Sequence, residues 1–264
     1  MKDSIKSIIS YRGFIYSSVR REFQSRYQSS LLGPVWVFIQ PISLILIYTI
    51  VFSTLMKAKL PGNSSHVAYS IFLCSGIIFW NLFSEIIIKS VNVFVLNSNV
   101  LKKLNFPKMC LPAIIIISSS INFIILFCVF VVVMLVTDSL HTLSILYIIP
   151  LIVLLIIFAI SLGMILGIVN VFFRDVGQFV LVFMQFWFWL TPIVYPLNIL
   201  PHWAKTIVEL NPVTGIVLGS QQIFVSGTFP DIRLLIPVFS ASILFSIIAF
   251  VFFKKRSSDM VDEL

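Results

Sequence analysis

Charged residues are scarce in this sequence: Asp, Glu, Lys and Arg make up 11% of its 264 residues, against about 25% in soluble domains. So little polar surface excludes a water-soluble globule. Histidine is scarcer still. His66, His141 and His202 stand far apart at the edges of apolar runs, with no spacing that suits a metal or a general base. Cys74, Cys110 and Cys128 lie in or beside apolar stretches and form no CxxC pair, so neither a disulfide framework nor a zinc site is expected. No GxxxxGK followed by Ser or Thr occurs, so the chain has no phosphate loop for ATP. A buried acidic relay and a broken inverted repeat are also missing, which removes the usual signs of ion coupling. The opening MKDSIKSIISYRGF has no continuous apolar core and no small-residue cleavage site, so no signal peptide is expected.

Apolar residues take the place of charge, at 59% of the chain, with a mean hydropathy of +1.08. The runs are long and lack the alternation of barrel strands, so the spanning elements are expected to be helices. Six runs are long enough, at 35–56, 67–89, 109–136, 143–173, 177–195 and 234–253. The fold expected is an all-α integral membrane domain over residues 1–264. Residues 1–34 form a cytoplasmic amphipathic helix, 35–195 hold spans one to five, 196–233 an outer loop, and 234–264 span six and a tail.

One charged pair breaks the oily middle of the chain. Arg174 and Asp175, in VFFRDV, are the only Lys, Arg, Asp or Glu between Asp138 and Lys205. They mark a turn back into water between the fourth and fifth runs. Asp175 is expected to cap the fifth helix, and Arg174 to reach headgroups or the last carbonyls of the fourth. With the N-terminus inside, fourteen of the eighteen Lys and Arg fall on the inner side and four on the outer. Both termini are therefore expected in the cytoplasm. That bias also accounts for the net charge of +8 without nucleic acid.

Four stretches carry the functional signal. Tyr11, Ile15, Val19, Phe23 and Tyr27 recur every four residues, with Arg12, Arg20 and Arg21 on other faces. Such a helix suits the inner membrane surface, as an anchor or as a partner contact. Gly33 and Pro34 then end it and open the next helix. In the first inner loop, Ser98 or Asn99 can cap a short helix through Lys103, with Pro107 barring its continuation. Leu101 and Phe106 beside Lys102 and Lys103 fit either a solvated basic loop or a helix docked on a cytoplasmic protein. The outer loop holds two short helical stretches, at 203–210 and 213–225, punctuated by Pro201, Asn211-Pro212 and Gly227. They can lid a passage or simply cap the fold. Aromatics crowd 183–195, and Trp187 and Trp189 cannot share one helix face. A lipid-interface belt explains some of these rings; the others suit a sugar sliding over apolar faces. In the first run, Trp36, Phe38, Gln40, Tyr48 and Thr49 offer a similar mixture.

Smaller features are structural. Gly163 and Gly167 make a small-xxx-small pair for close helix packing. Pro41 and Pro192 are expected to kink their spans or free local carbonyls. Glu85 and Lys89, four residues apart, read as an ordinary ion pair.

Several of these segments together resemble the membrane subunits of ABC exporters for polysaccharides, the group that serves O-antigen, capsule and teichoic acid. The resemblance runs through REFQSRYQSSLLGPVWVFIQP at 21–41, SGIIFWNLFSE at 75–85, LKKLNFPK at 101–108, NVFFRDV at 170–176, FWLTPIVYP at 188–196 and LNP at 210–212. It covers essentially the whole chain. It implies a homodimer of six-span subunits in the bacterial inner membrane, joined to two cytoplasmic ATPases that bind ATP and Mg; this chain itself would hold no cofactor and no catalytic residue. Asn99, Leu101, Lys102, Lys103, Asn105, Phe106 and Pro107 would form the segment that couples to the ATPase. The N-terminal helix would shape a lateral opening for a lipid-linked polysaccharide, with Arg20, Arg21 and Arg26 near its diphosphate. Spans one and five would line the conduit, placing Trp36, Tyr48, Phe183, Trp187 and Tyr195 along it. Trp203, Asn211 and Pro212 would belong to an outer gate. Export of O-antigen is the leading expectation. The same architecture used for teichoic acid, another glycolipid or a drug is the alternative. A membrane-embedded glycolipid enzyme would need a catalytic cluster that the sequence lacks, and a passive channel would need no ATPase.

Overall fold

The computed structural model describes residues 9–27, 33–48, 50–51, 66–103, 108–139, 142–256, 260 and 263. Among them there is helix and turn but no strand. The helices are α1 (Arg12–Tyr27), α2 (Trp36–Tyr48), α3 (His66–Leu96), α4 (Ser98–Lys103) and α5 (Cys110–Val136). They continue with α6 (Ile148–Phe172), α7 (Asp175–Trp189), α8 (His202–Leu210), α9 (Pro212–Ser226) and α10 (Ile232–Arg256). Ile and Val dominate α5, residues that favour strands in water. In hydrocarbon the preference is overruled, because only a helix satisfies each N–H and C=O within its own segment.

Among the described residues, four helical segments are long and apolar enough to cross a membrane: Ala68–Leu96, Cys110–Val136, Ser144–Phe172 and Ile232–Arg256. The shortest of them, at 25 residues, rises about 38 Å, more than a hydrocarbon core of about 30 Å. The fifth apolar run behaves differently. Its helix, α7, has 15 residues and rises only about 22 Å. The chain then leaves the helix at Leu190 and turns through Thr191 to Pro196. Pro192 thus lies beyond the helix rather than kinking it, and its freed carbonyl accepts from Gln221 Nε2 at 3.1 Å. The first run yields α2, 13 residues that pass through Pro41.

The core is built around α3. Phe79, Phe83, Ile86, Val91 and Phe94 are fully buried on it, between α6, α5, α7 and α9. By contrast, α5 and α10 turn Ile124, Val132, Phe239 and Ile247 outward, the apolar surface that lipid would cover. Apolar side chains gain little from leaving lipid for one another, so close backbone approach must hold the bundle. The Gly163–Gly167 pair supplies that approach. A Cβ on Gly163 would fall 2.6 Å from the Cβ of Ser90, and one on Gly167 would strike the Ser90 carbonyl oxygen. Gly215 on α9 likewise lies against the backbone of Leu234 on α10.

The turn between α6 and α7 departs from expectation in its cap. Asp175 opens α7 from its exposed first turn, where a carboxylate suits the helix dipole. The side-chain cap comes instead from Asn170, whose Oδ1 accepts from Gly177 N at 2.8 Å. Its Nδ2 donates to Val91 O at 2.9 Å. This buried amide therefore joins α3, α6 and α7 at one point.

Candidate functional site

One end of the molecule is set by α1, α3 and α4. On α1, Ile15 and Val19 are buried and Phe23 half-buried, and the helix packs on α5. The four-residue stripe is thus partly covered by protein, while Tyr11, Arg12, Arg20 and Arg21 stay exposed. Further on, α3 runs seven residues past Lys89 to Leu96, pauses at Asn97, and is followed by α4. Asn97 Nδ2 donates to Val93 O at 2.8 Å, and Leu101 N donates to Asn97 O at 3.0 Å. In α4, Leu101 points inward and is buried, whereas Asn99 and Lys102 are exposed. The side chains of Arg26 and Lys103, and residues Asn105, Phe106 and Pro107, lie outside the described residues.

The aromatic segment divides into two faces. Phe179, Phe183, Phe186 and Trp189 are exposed along α7; Trp187 and Phe188 turn toward α3. Phe179 and Phe183 stack at 5.9 Å, and Phe183 meets Trp187 at 5.2 Å. Trp187 packs edge-on against Phe83 at 5.1 Å, and Phe188 against Trp80 at 5.6 Å. Trp187 and Trp189 thus occupy different faces, as their spacing requires. Tyr195 is half-buried and donates its hydroxyl to Trp189 O at 2.9 Å. Trp36 is exposed on α2, and the Tyr48 side chain lies outside the described residues.

At the opposite end, the stretches expected at 203–210 and 213–225 are the helices α8 and α9. They differ in burial. Trp203, Ile207 and Leu210 of α8 are exposed, whereas α9 is buried continuously from Val213 to Gln221. Asn211 separates them. Its Oδ1 accepts from Val213 N at 3.1 Å and so caps α9, with Pro212 at the first helical position. The same oxygen accepts from Trp187 Nε1 at 2.9 Å. Gly227 ends α9 with φ 67, a left-handed conformation that glycine adopts without strain. Its carbonyl accepts from Ser144 Oγ at 2.7 Å. Three further long-range polar residues were not singled out as functional in the sequence: Tyr69, which donates to Val194 O at 2.6 Å, Thr191, and Gln221. Their signal was a polar side chain inside an apolar run.

Among the described residues, no three His, Cys, Asp or Glu gather as a metal site. What the arrangement presents is an exposed basic end, an exposed aromatic helix face and, at the opposite end, a helix pair fastened through Asn211. Residues 14–225 match the ABC-2 type transporter family. The chain belongs to that family: it is a multi-pass membrane transport subunit rather than an enzyme, and its ATP is bound by an ABC ATPase partner. It is similar to the O-antigen export system permease protein RfbA of Myxococcus xanthus, with 26% identity over 263 residues and 98% of each chain covered. Two Klebsiella pneumoniae proteins of the same name are also similar. One is 29% identical over 209 residues, covering 79% of this chain and 78% of its own; the other is 27% identical over 208 residues, covering 78% of each.

Proposed function

We propose that the chain is the membrane subunit of an ATP-driven exporter that carries lipid-linked O-antigen polysaccharide across the bacterial inner membrane. The carrying observation is the end-to-end similarity to a permease named for O-antigen export, over 98% of both chains. In this reading two copies form the passage, each with six crossings and both termini in the cytoplasm. Segments 35–56 and 177–195 then complete the count, the latter by helix α7 and the turn after it.

Transport begins at the inner leaflet. Arg20, Arg21 and Arg26 meet the diphosphate of an undecaprenyl-type carrier, where guanidinium groups give charge-assisted hydrogen bonds. Exposure of Arg20 and Arg21 supports this. The partner ATPase seats Asn99, Leu101, Lys102, Lys103, Asn105, Phe106 and Pro107. Here α4 offers the polar Asn99 and Lys102 while Leu101 holds it to the bundle. Nucleotide-driven closure of the ATPases shifts the two subunits. Sugars then pass over Trp36, Tyr48, Phe183, Trp187 and Tyr195, and leave beside Trp203, Asn211 and Pro212.

The test is a deletion strain supplied with this chain and its ATPase. Loss of the chain should leave lipid-linked O-antigen on the cytoplasmic side, and re-expression should return O-antigen to the cell surface. Normal surface O-antigen in the deletion strain would end this reading.

A further inference from the structure

A polar cluster gathers around Lys89 on α3. Lys89 Nζ lies 2.7 Å from Glu85 Oε1, one turn earlier on α3. It also lies 2.6 Å from Glu22 Oε1 on α1 and donates to Ser118 Oγ on α5 at 2.9 Å. Asn122, a turn beyond Ser118, donates to the same Glu85 oxygen at 2.5 Å. Three helices therefore meet at one ammonium group, which has an acceptor for each of its protons. The side chains of Lys89, Glu22 and Glu85 are 21%, 31% and 25% exposed. At that depth their attraction is screened less than on an open surface.

The position of the cluster gives it a use. Lys89 sits two turns before the end of α3, and α4 is hydrogen-bonded to that end through Asn97. Displacing α4 therefore displaces the last turns of α3. Glu22 sits on α1 immediately after Arg20 and Arg21. Helix α1 also packs on α5, with Ile15 and Val19 buried, and apolar contacts tolerate sliding. An ion pair fixes one register.

We propose that Lys89 is a positioning residue that passes movement of α4 to α1, so that ATPase motion and the lateral opening are linked. This rests on the reading of α4 as the ATPase seat and α1 as the sill of the opening. Glu22 is the receiving end; Glu85, Ser118 and Asn122 hold Lys89 in place.

Replacing Lys89 alone would leave Glu22 and Glu85 facing each other and threaten folding, so the test starts from Glu22→Gln and the exchange E22K/K89E. The exchange puts a cation at 22 between carboxylates at 85 and 89. Spin labels at Tyr16 on α1 and Phe250 on α10, both exposed, are placed in a Cys128→Ser background. The full complex with its ATPase, in lipid nanodiscs, is measured with and without ATP and vanadate. The wild type should show a nucleotide-dependent change in this distance. Glu22→Gln should shrink it to less than half and cut export by about fivefold, the lower range for coupling between sites. E22K/K89E should recover both. An unchanged displacement in Glu22→Gln, no recovery in the exchange, or no displacement in the wild type would each overturn the link. A wild type that moves α1 on nucleotide but exports no O-antigen would refute the substrate reading and leave this inference standing.

Discussion

Trp187 and Asn211, 24 residues apart in sequence, are joined by an indole N–H that donates to the amide oxygen at 2.9 Å. The Asn211 amide nitrogen in turn donates to Thr191 Oγ1 at 3.0 Å and approaches Leu190 O at 3.4 Å. One side chain closes the end of α7, the turn after it and the start of α9. Helices α8 and α9 are thus tied to α7 through Asn211, and if they gate the proposed passage, α7 moves with them.

Asn211→Ala removes a helix cap and strands the half-buried Trp187 N–H. The two losses together cost about 2–4 kcal/mol. Asn211→Asp keeps the acceptor for Val213 and Trp187 and should recover most of that. Thermal unfolding of the purified complex should rank wild type, Asp, Ala in falling order. Equal midpoints for all three would show that α8 and α9 are held by packing alone.

The Ser90 contact predicts an asymmetry between two glycines. Gly163→Ala collides with the Ser90 side chain, and Gly167→Ala collides with its backbone carbonyl. Each overpacking should cost about 1–3 kcal/mol. Adding Ser90→Gly removes the obstacle for the first variant only. Folded protein recovered from membranes should therefore rise for G163A/S90G and stay low for G167A/S90G. Equal rescue of both would contradict the packing of α6 on α3.

Sequence pattern located the helices where a backbone signal ended them. Pro201, Asn211-Pro212 and Gly227 placed α8 and α9 to within a residue or two at each end. It misplaced ends that depend on distant partners. The apolar run ends at Lys89, yet Glu22 and Glu85 pair with that lysine and the helix α3 runs on to Leu96. The apolar run at 177–195 hid the end of α7, since turn and helix there are equally oily. Asn170 supplied the cap expected of Asp175 for the same reason: its bond to Gly177 depends on how the turn folds. The basic and aromatic faces were legible because composition alone marks them.

The two sides of α4 should respond differently to charge. Lys102 is exposed, so Lys102→Glu should leave thermal stability unchanged while weakening association with the ATPase and lowering export. Leu101 is buried, so Leu101→Asp should cost about 2–5 kcal/mol of stability by burying an acid. Co-purification with the ATPase separates the effects. Full ATPase recovery and full export in Lys102→Glu would remove the exposed side of α4 from coupling.

Phe183 and Trp187 adjoin each other on α7 yet should fail in different ways. Phe183 is 41% exposed, so Phe183→Ala removes an open aromatic face and gives up little packing. Trp187→Phe keeps an aromatic ring against Phe83 but deletes the bond to Asn211, at a cost of about 1 kcal/mol. If sugars slide along α7, Phe183→Ala lowers polymer flux at an unchanged unfolding midpoint. Trp187→Phe lowers the midpoint by a few degrees, about 2–4 °C for a domain of this size, with flux falling only as folded protein falls. Flux per folded complex, measured beside the midpoint, resolves the two. Wild-type flux in Phe183→Ala would assign the exposed face of α7 to lipid, and the conduit would then have to run along other residues.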